Sequence, residues 1–329
     1  MTKATEPRAR VLVTAPGFGR AGDAALRLLE EAGCEVIMRA SDITLTERDI
    51  LPLVGDVDAI LAGAEPITAR VIAAAPRLKI IARRGVGYDA VDLPAATARG
   101  IVVTITSGVL SEAVADHAFA LLLAVARRIP QFDGIVKGGG WDRTPGVDVF
   151  GKTLGIVGFG AIGRAVARRA AGFGMRVLAY DVVLDEAAAA AAGCAFCELP
   201  ELLADSDFIT VHVPLMPATR GLIGERTLAM MKPSAILINT SRGDVVDEAA
   251  LIKALRGGRL AGAGLDVFHD EPVRDRSLVE LHTVVATPHV AAHTHETQTR
   301  VECASAEAIV TALRGERPPH VVNPDVYRP

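Results

Sequence analysis

Short apolar runs alternate with polar, helix-length stretches along most of the chain, and this spacing predicts alternating strands and helices. In the first third, residues 10–14, 36–38, 58–62, 79–82 and 101–105 read as strands, with helices over 23–32 and 68–75, the latter stopped by Pro76. The pattern predicts a first parallel-sheet domain of about a hundred residues. Residues 111–128 then read as one long helix, with Ser111 at the N-cap, Glu112 in the first turn and two arginines at its end. Val114, Ala118, Phe119, Leu121, Leu122 and Val125 leave it apolar on most faces, which suits a helix between two domains or in a dimer interface. Residues 137–145 read as a loop. Strands follow at 154–157, 175–180, 195–196, 208–212, 235–239, 262–265 and 284–286. Helices are expected at 161–171, 186–192, 199–203 and 304–313, before an irregular tail ending in Tyr327, Arg328 and Pro329.

One stretch organises this alternation: residues 153–181, TLGIVGFGAIGRAVARRAAGFGMRVLAYD. A buried strand runs into Gly158, Gly160 and Gly163, spaced G-x-G-x-x-G, then a helix, then a second strand ending on Asp181. That order is expected of a dinucleotide-binding βαβ unit. Gly158 allows the tight turn, Gly160 lets a pyrophosphate approach the backbone, and Gly163 lets helix and strand pack closely. The helix start, with the N–H groups of Ala161 and Ile162, offers its positive dipole end to the phosphates. Asp181 can accept both ribose hydroxyls, and its charge, with only Val182, Val183 and Leu184 after it, predicts NAD over NADP.

Composition narrows the setting. Thirty-five basic and thirty-nine acidic side chains leave a formal charge of −4 over 329 residues, which argues against a nucleic-acid or membrane surface as the main partner. Four cysteines form no disulfide framework in so long a chain. The opening MTKATEPRAR lacks the apolar core of a signal peptide, and the most apolar stretch, 118–126, is too short to cross a bilayer. A cytoplasmic protein is expected.

Three stretches place chemistry at the ends of apolar strands, where a doubly wound sheet presents its ligand crevice. They are Ile236 to Gly243 with Arg242, Gly264 to Pro272 with Asp266 and Glu271, and Val285 to His289 with His289 after a proline. An arginine, a carboxylate and a histidine beside a nicotinamide suffice for hydride transfer to a 2-keto acid. The histidine exchanges the hydroxyl proton, the carboxylate stabilises its charged form, and the arginine holds the substrate carboxylate and carbonyl oxygen. Singly, each has a plainer reading, a surface ion pair for Arg242 and a structural imidazole for His289. Cys194 and Cys197 have C-x-x-C spacing but no second pair, and His289, His293 and His295 lack an accompanying carboxylate motif, so no metal is expected. Arg83 and Arg84 either reach a second anionic group on the substrate or are salt-bridged.

The segments GVGYDAVD, SEAVADHAFALLLAVAR, GIVGFGAIGR, HVPLMPATRGLI, INTSRGDVVDEAAL, GAGLDVF with EP, and TPHVA resemble the D-isomer-specific 2-hydroxyacid dehydrogenases from about Ile80 to His293. The resemblance implies two doubly wound parallel-sheet α/β domains: a Rossmann NAD-binding domain, residues 108–290, inserted into a flavodoxin-like substrate domain, residues 1–107 and 291–329, with the active site in their cleft. It implies Arg242, Glu271 and His289 as catalytic residues and Asp266 as the acid on the nicotinamide carboxamide. Val213 and Pro214 would border the adenine pocket, with Thr240 near the nicotinamide. The N–H groups of Val86 and Gly87, with Arg83 and Arg242, would take the substrate. A homodimer acting on a small 2-hydroxy or 2-keto acid follows, with 3-phosphoglycerate or hydroxypyruvate and glyoxylate as candidates. Ala62 stands where some phosphoglycerate dehydrogenases have a phosphate-binding arginine, Asp116 where glutamate is frequent, and Leu110 where asparagine is frequent. The rival reading is an NAD-sensing regulator of the corepressor type on the same fold, and a methyltransferase on a Rossmann-like sheet is a distant third.

Overall fold

The computed structural model describes residues 9–41 and 43–328, so most of the opening decapeptide and Pro329 of the tail lie outside the described residues. Its contacts divide the chain into two units, residues up to Leu110 together with those from His293, and Ser111–Ala292.

In the first unit, β1 (Arg10–Val13), β2 (Glu35–Met38), β3 (Ala59–Ala62), β4 (Ile80–Arg83) and β5 (Val102–Thr104) form a parallel sheet in the order β2-β1-β3-β4-β5. Strands β3, β4 and β5 are buried along their whole length, which is why they read as unbroken apolar runs. Helices α1 (Ala24–Glu31), α2 (Glu47–Ile50), α3 (Ala69–Ala73) and α4 (Leu93–Ala98) connect them. The short α2 and α4 carry too little apolar periodicity to be read from sequence. Side-chain caps mark two of these helices, the Thr68 hydroxyl accepting the Val71 N–H and the Asp92 carboxylate that of Ala95.

The second unit opens with α5 (Ser111–Ala126), which differs from the expected helix in three ways. Ser111 is its first residue and does not cap it. The helix stops at Ala126, Arg128 takes a left-handed φ of 54°, and a separate α6 (Ile129–Lys137) begins with a proline in its first turn. Pro130 has no N–H to continue the ladder, so an unbroken helix cannot run through it. Its apolar faces are also satisfied inside the unit, since Gly262 and Gly264 let the sheet approach Val125 and Leu121 directly.

The rest of the unit is β6 (Thr153–Val157), α7 (Ala161–Gly172), β7 (Arg176–Tyr180), α8 (Glu186–Ala191), β8 (Cys194–Phe196), α9 (Leu199–Asp205), β9 (Phe208–Val211), α10 (Glu225–Leu228), β10 (Ile236–Asn239), α11 (Glu248–Arg256), β11 (Gly262–Leu265) and β12 (Val284–Ala286). All seven strands are parallel, in the order β12-β11-β10-β9-β6-β7-β8, so the strand order reverses between β6 and β9. Leu154, Ile156 and Phe208 on one face, and Val157, Ile209 and Leu237 on the other, fill two cores. Each such side chain stabilises the fold by about 1.5–3 kcal/mol. Gly155 of β6 is required by α9, because a Cβ there would lie 2.4 Å from both Leu202 and Ser206.

The chain returns to the first unit through α12 (His295–Leu313), which packs on α1, β3 and β4. It begins well before residue 304 because Thr294 caps it, its hydroxyl accepting the Thr297 N–H; the polar opening turns hid this start. The tail is not irregular throughout. Asn323 accepts the Val103 N–H at 2.9 Å and donates to the Ile101 carbonyl at 2.8 Å, and Pro324–Tyr327 closes a 3-10 turn.

Candidate active site

The reversal between β6 and β9 places the glycine loop where an open α/β sheet forms its ligand crevice. Gly158 has φ 100°, and a Cβ there would lie 2.8 Å from the His212 carbonyl carbon and the Val213 nitrogen. At Gly163 a Cβ would come within 2.2 Å of the Gly158 oxygen, so this glycine sets the contact between α7 and the loop. Gly160 meets nothing within 4 Å and leaves room beside the start of α7, where Ala161 and Ile162 stand. Asp181 ends β7 and accepts the Phe159 N–H at 2.6 Å and the Val183 N–H at 3.1 Å, fixing its carboxylate beside the loop. Val213, whose nitrogen lies against Gly158, and Pro214 follow β9. Thr240, after β10, is buried with its hydroxyl lacking a hydrogen bond among the described residues. A glycine with open space, a fixed carboxylate and an orphaned hydroxyl on one sheet edge fit a dinucleotide.

The same edge carries the histidine and carboxylate expected to handle the proton. Glu271 and His289 meet, Oε2 lying 2.7 Å from Nδ1, and the other Glu271 oxygen accepts the Phe268 N–H at 3.0 Å. Both side chains remain partly exposed, so Nε2 of His289 is the ring atom left to face a substrate. Arg242 follows β10 in extended backbone, and one guanidinium nitrogen donates to the Ser241 carbonyl at 2.8 Å. Asn239, missed in the sequence reading, shapes this turn: its amide oxygen accepts the Ser241 N–H and hydroxyl, and its nitrogen donates to the Arg242 carbonyl. An Asn closing a strand three residues before a loop arginine was the available signal.

Two loops are fastened together here. A Cβ on Gly243 would lie 2.0 Å from the Phe268 carbonyl carbon, so the backbone after Arg242 lies directly on the segment leading to Glu271. Asp244 reinforces this by pairing with Arg220 and with Nδ1 of His269. The hydrogen bond to Asp244, then its charge, raises the His269 imidazole above its ordinary value.

Asp266, directly after β11, is fully buried. Its carboxylate accepts the Thr287 hydroxyl at 2.6 Å, the Val290 N–H at 2.9 Å and the Ala291 N–H at 2.8 Å. Burial disfavours its charge, but hydrogen bonds from His117, Thr287, Val290 and Ala291 outweigh that and hold it below the usual carboxylate range. The resemblance implies a carboxamide partner for this acid; in the structure its carboxylate holds the segment carrying His289.

In the first unit, β4 leads into the Val86–Gly87 turn. Neither N–H makes a backbone hydrogen bond among the described residues. Arg83 is buried and its Nε donates to the Gly87 carbonyl at 2.9 Å. Arg84 pairs with the buried Glu302 at 2.9 Å and donates to the Pro16 carbonyl at 2.9 Å and to Gln298. Burial pushes the Glu302 carboxyl up and the Arg84 guanidinium down, so desolvation outweighs their attraction.

Among the described residues, no group of three or more His, Cys, Asp or Glu side chains is placed to hold a metal ion. Burial pushes the Cys194 thiol up to about 11, the opposite of what a thiolate ligand needs. No helix is long and apolar enough to cross a membrane, again among the described residues.

Residues 119–291 match the D-isomer specific 2-hydroxyacid dehydrogenase, NAD binding domain. A glyoxylate reductase from Korarchaeum cryptofilum is 49% identical over 291 residues, covering 86% of this chain and 88% of that protein. A D-3-phosphoglycerate dehydrogenase from Mycobacterium bovis is 48% identical over 281 residues, 84% of this chain, but the chain spans only 53% of that relative's length. Among solved structures, the TT0316 protein from Thermus thermophilus has a TM-score of 0.84 and 41% identity, covering 95% of this chain and 99% of that one. The chain belongs to the D-isomer-specific 2-hydroxyacid dehydrogenases and is a nicotinamide-dependent oxidoreductase of hydroxy acids.

Proposed function

We propose that this enzyme reduces small unphosphorylated 2-keto acids, glyoxylate or hydroxypyruvate, with NADH. The observation that carries this reading over 3-phosphoglycerate is Arg84, whose guanidinium is engaged by Glu302, Gln298 and the Pro16 carbonyl. Its neighbour Arg83 is buried against the Gly87 carbonyl, and Ala62 supplies no cation. The guanidinium groups of Arg83 and Arg84 are therefore engaged inside the first unit rather than held out for a phosphate.

Gly158, Gly160, Ala161, Ile162 and Gly163 would hold the pyrophosphate, Asp181 the adenosine ribose, Val213 and Pro214 the adenine, and Thr240 the nicotinamide end. The bound cofactor supplies the hydride. As the carbonyl carbon accepts it, the oxygen gains charge and takes a proton from Nε2 of His289, while Glu271 stabilises the protonated imidazole. Arg242 holds the carbonyl oxygen and the carboxylate, and in the first unit the N–H groups of Val86 and Gly87 are assigned to carboxylate recognition.

A panel of keto acids assayed with NADH and NADPH tests the reading. Glyoxylate or hydroxypyruvate should give the higher kcat/KM, and a phosphorylated keto acid preferred over both would refute it. NADH should be favoured because Asp181 repels a 2′-phosphate, and Asp181→Asn should narrow that preference; equal use of both cofactors by the wild type would remove Asp181 from cofactor selection.

A homodimer is proposed from the exposed Ile129, Val136, Trp141, Val147 and Phe150, which crowd one segment of the second unit. A monomeric mass by light scattering would exclude it. Four free cysteines suit a reducing cytoplasm, and activity confined to a secreted fraction would contradict that placement.

A further inference from the structure

We propose that Thr287 and His117 are positioning residues for His289: a hydrogen-bond chain from α5 through Thr287 to Asp266 sets the backbone of residues 287–291 and so the direction of the imidazole. This rests on the assignment of His289 as the proton donor.

His289 has φ 53°, a left-handed conformation that a non-glycine residue keeps only when its surroundings hold it there. What holds it is Asp266. The His289 N–H donates to the Asp266 carbonyl at 2.8 Å, and the carboxylate takes the N–H groups of Val290 and Ala291 on one side of the histidine and the Thr287 hydroxyl on the other. The strained residue is thus gripped from before and after by one buried side chain.

The chain also has a defined direction. Thr287 has a single hydroxyl proton, and at 2.6 Å it goes to the ionised Asp266. The Thr287 oxygen is then an acceptor, so Nε2 of His117, 2.9 Å away, must carry the proton and donate it. His117 Nε2 also lies 3.5 Å from the Asp266 carboxylate, adding a donor dipole on that side. Each proton in the chain points towards Asp266, and Asp266 holds the histidine segment.

The alternative use of this cluster is cofactor binding through Asp266, and the two uses predict different losses. Thr287→Val keeps the shape and removes the hydroxyl, whereas Thr287→Ser keeps the hydroxyl. With glyoxylate and NADH, Thr287→Val should lower kcat about 10- to 100-fold, the size expected when a reacting group is misplaced by a fraction of an ångström to an ångström. The dissociation constant of NADH, read by fluorescence, should stay within about twofold, and Thr287→Ser should restore most of the rate. His117→Leu should lower kcat in the same sense, and His117→Gln, which returns an N–H donor, should recover it. These two variants carry the test if Thr287→Val does not fold. Unchanged kcat in both Thr287→Val and His117→Leu would overturn the proposal, and so would a loss of NADH affinity equal to the loss of rate. His289→Ala assayed alongside separates the two levels of failure. If it turns over normally, the assignment of His289 itself has failed; if it is inactive while Thr287→Val is normal, only the positioning chain has.

Discussion

Replacing His289 with alanine should lower the rate of 2-keto acid reduction about 10²–10⁴-fold while NADH binding survives. Hydride arriving at the carbonyl carbon leaves an alkoxide that must be protonated as it forms, and Nε2 of His289 is the group placed to do so, with Nδ1 occupied by Glu271. Water can replace a positioned donor only slowly, which sets the size of the loss. Arg242→Ala should impair the same reaction differently, raising KM and lowering kcat together, if the guanidinium holds both the carboxylate and the oxygen that gains charge as proposed. Steady-state kinetics with glyoxylate, paired with NADH fluorescence titration, reads both. Near-normal turnover by His289→Ala would overturn the catalytic assignment.

Asp266→Ala should destabilise the second unit by about 3–5 kcal/mol. It deserts three donors at once, the Thr287 hydroxyl and the Val290 and Ala291 N–H groups, in a position with no solvent exposure. Each stranded donor costs about 1–3 kcal/mol, and water entering the vacated space recovers part. The pH dependence has a definite sign. Asp266 is held below the usual carboxylate range, so its contribution is complete above the ordinary carboxylate value and is lost as pH falls through the folded value. Urea unfolding of wild type and variant should therefore differ most near neutrality and converge in acid. A difference below about 1 kcal/mol at neutral pH would contradict the network.

What could be read from sequence follows from how each feature is encoded. The parallel strands were legible because burial on both faces makes them unbroken apolar runs, as in Phe208–Val211 and Ile236–Asn239. The glycine loop was legible because Gly158 and Gly163 stand where backbone contacts leave no space for a Cβ. Arg242, Glu271 and His289 could be singled out by their strand-end positions, and the resemblance gave them roles. Their geometry could not be read: the pairing of Glu271 with His289 depends on a loop whose path is fixed by Gly243 and Phe268. The Arg84–Glu302 pair spans 218 positions and the His117–Thr287 contact 170, and no local spacing encodes either. The expected helix end at Arg128 lies close to the observed Ala126, whereas α6 was not read, although Pro130 in its first turn was a local signal for a helix start. The early start of α12 was signalled only by Thr294, since its first turns are polar.

If His289 and Glu271 act as one proton-transferring unit, the carboxylate must contribute to kcat/KM through its charge and not through its shape. Wild type and Glu271→Gln are compared for glyoxylate reduction at saturating NADH. The glutamine amide keeps the size of the side chain lying 2.7 Å from Nδ1 but removes the charge that stabilises the imidazolium formed in catalysis. Reduction should therefore lose about 10-fold or more in kcat/KM while NADH affinity is kept. Equal kcat/KM in the two enzymes would contradict the pairing.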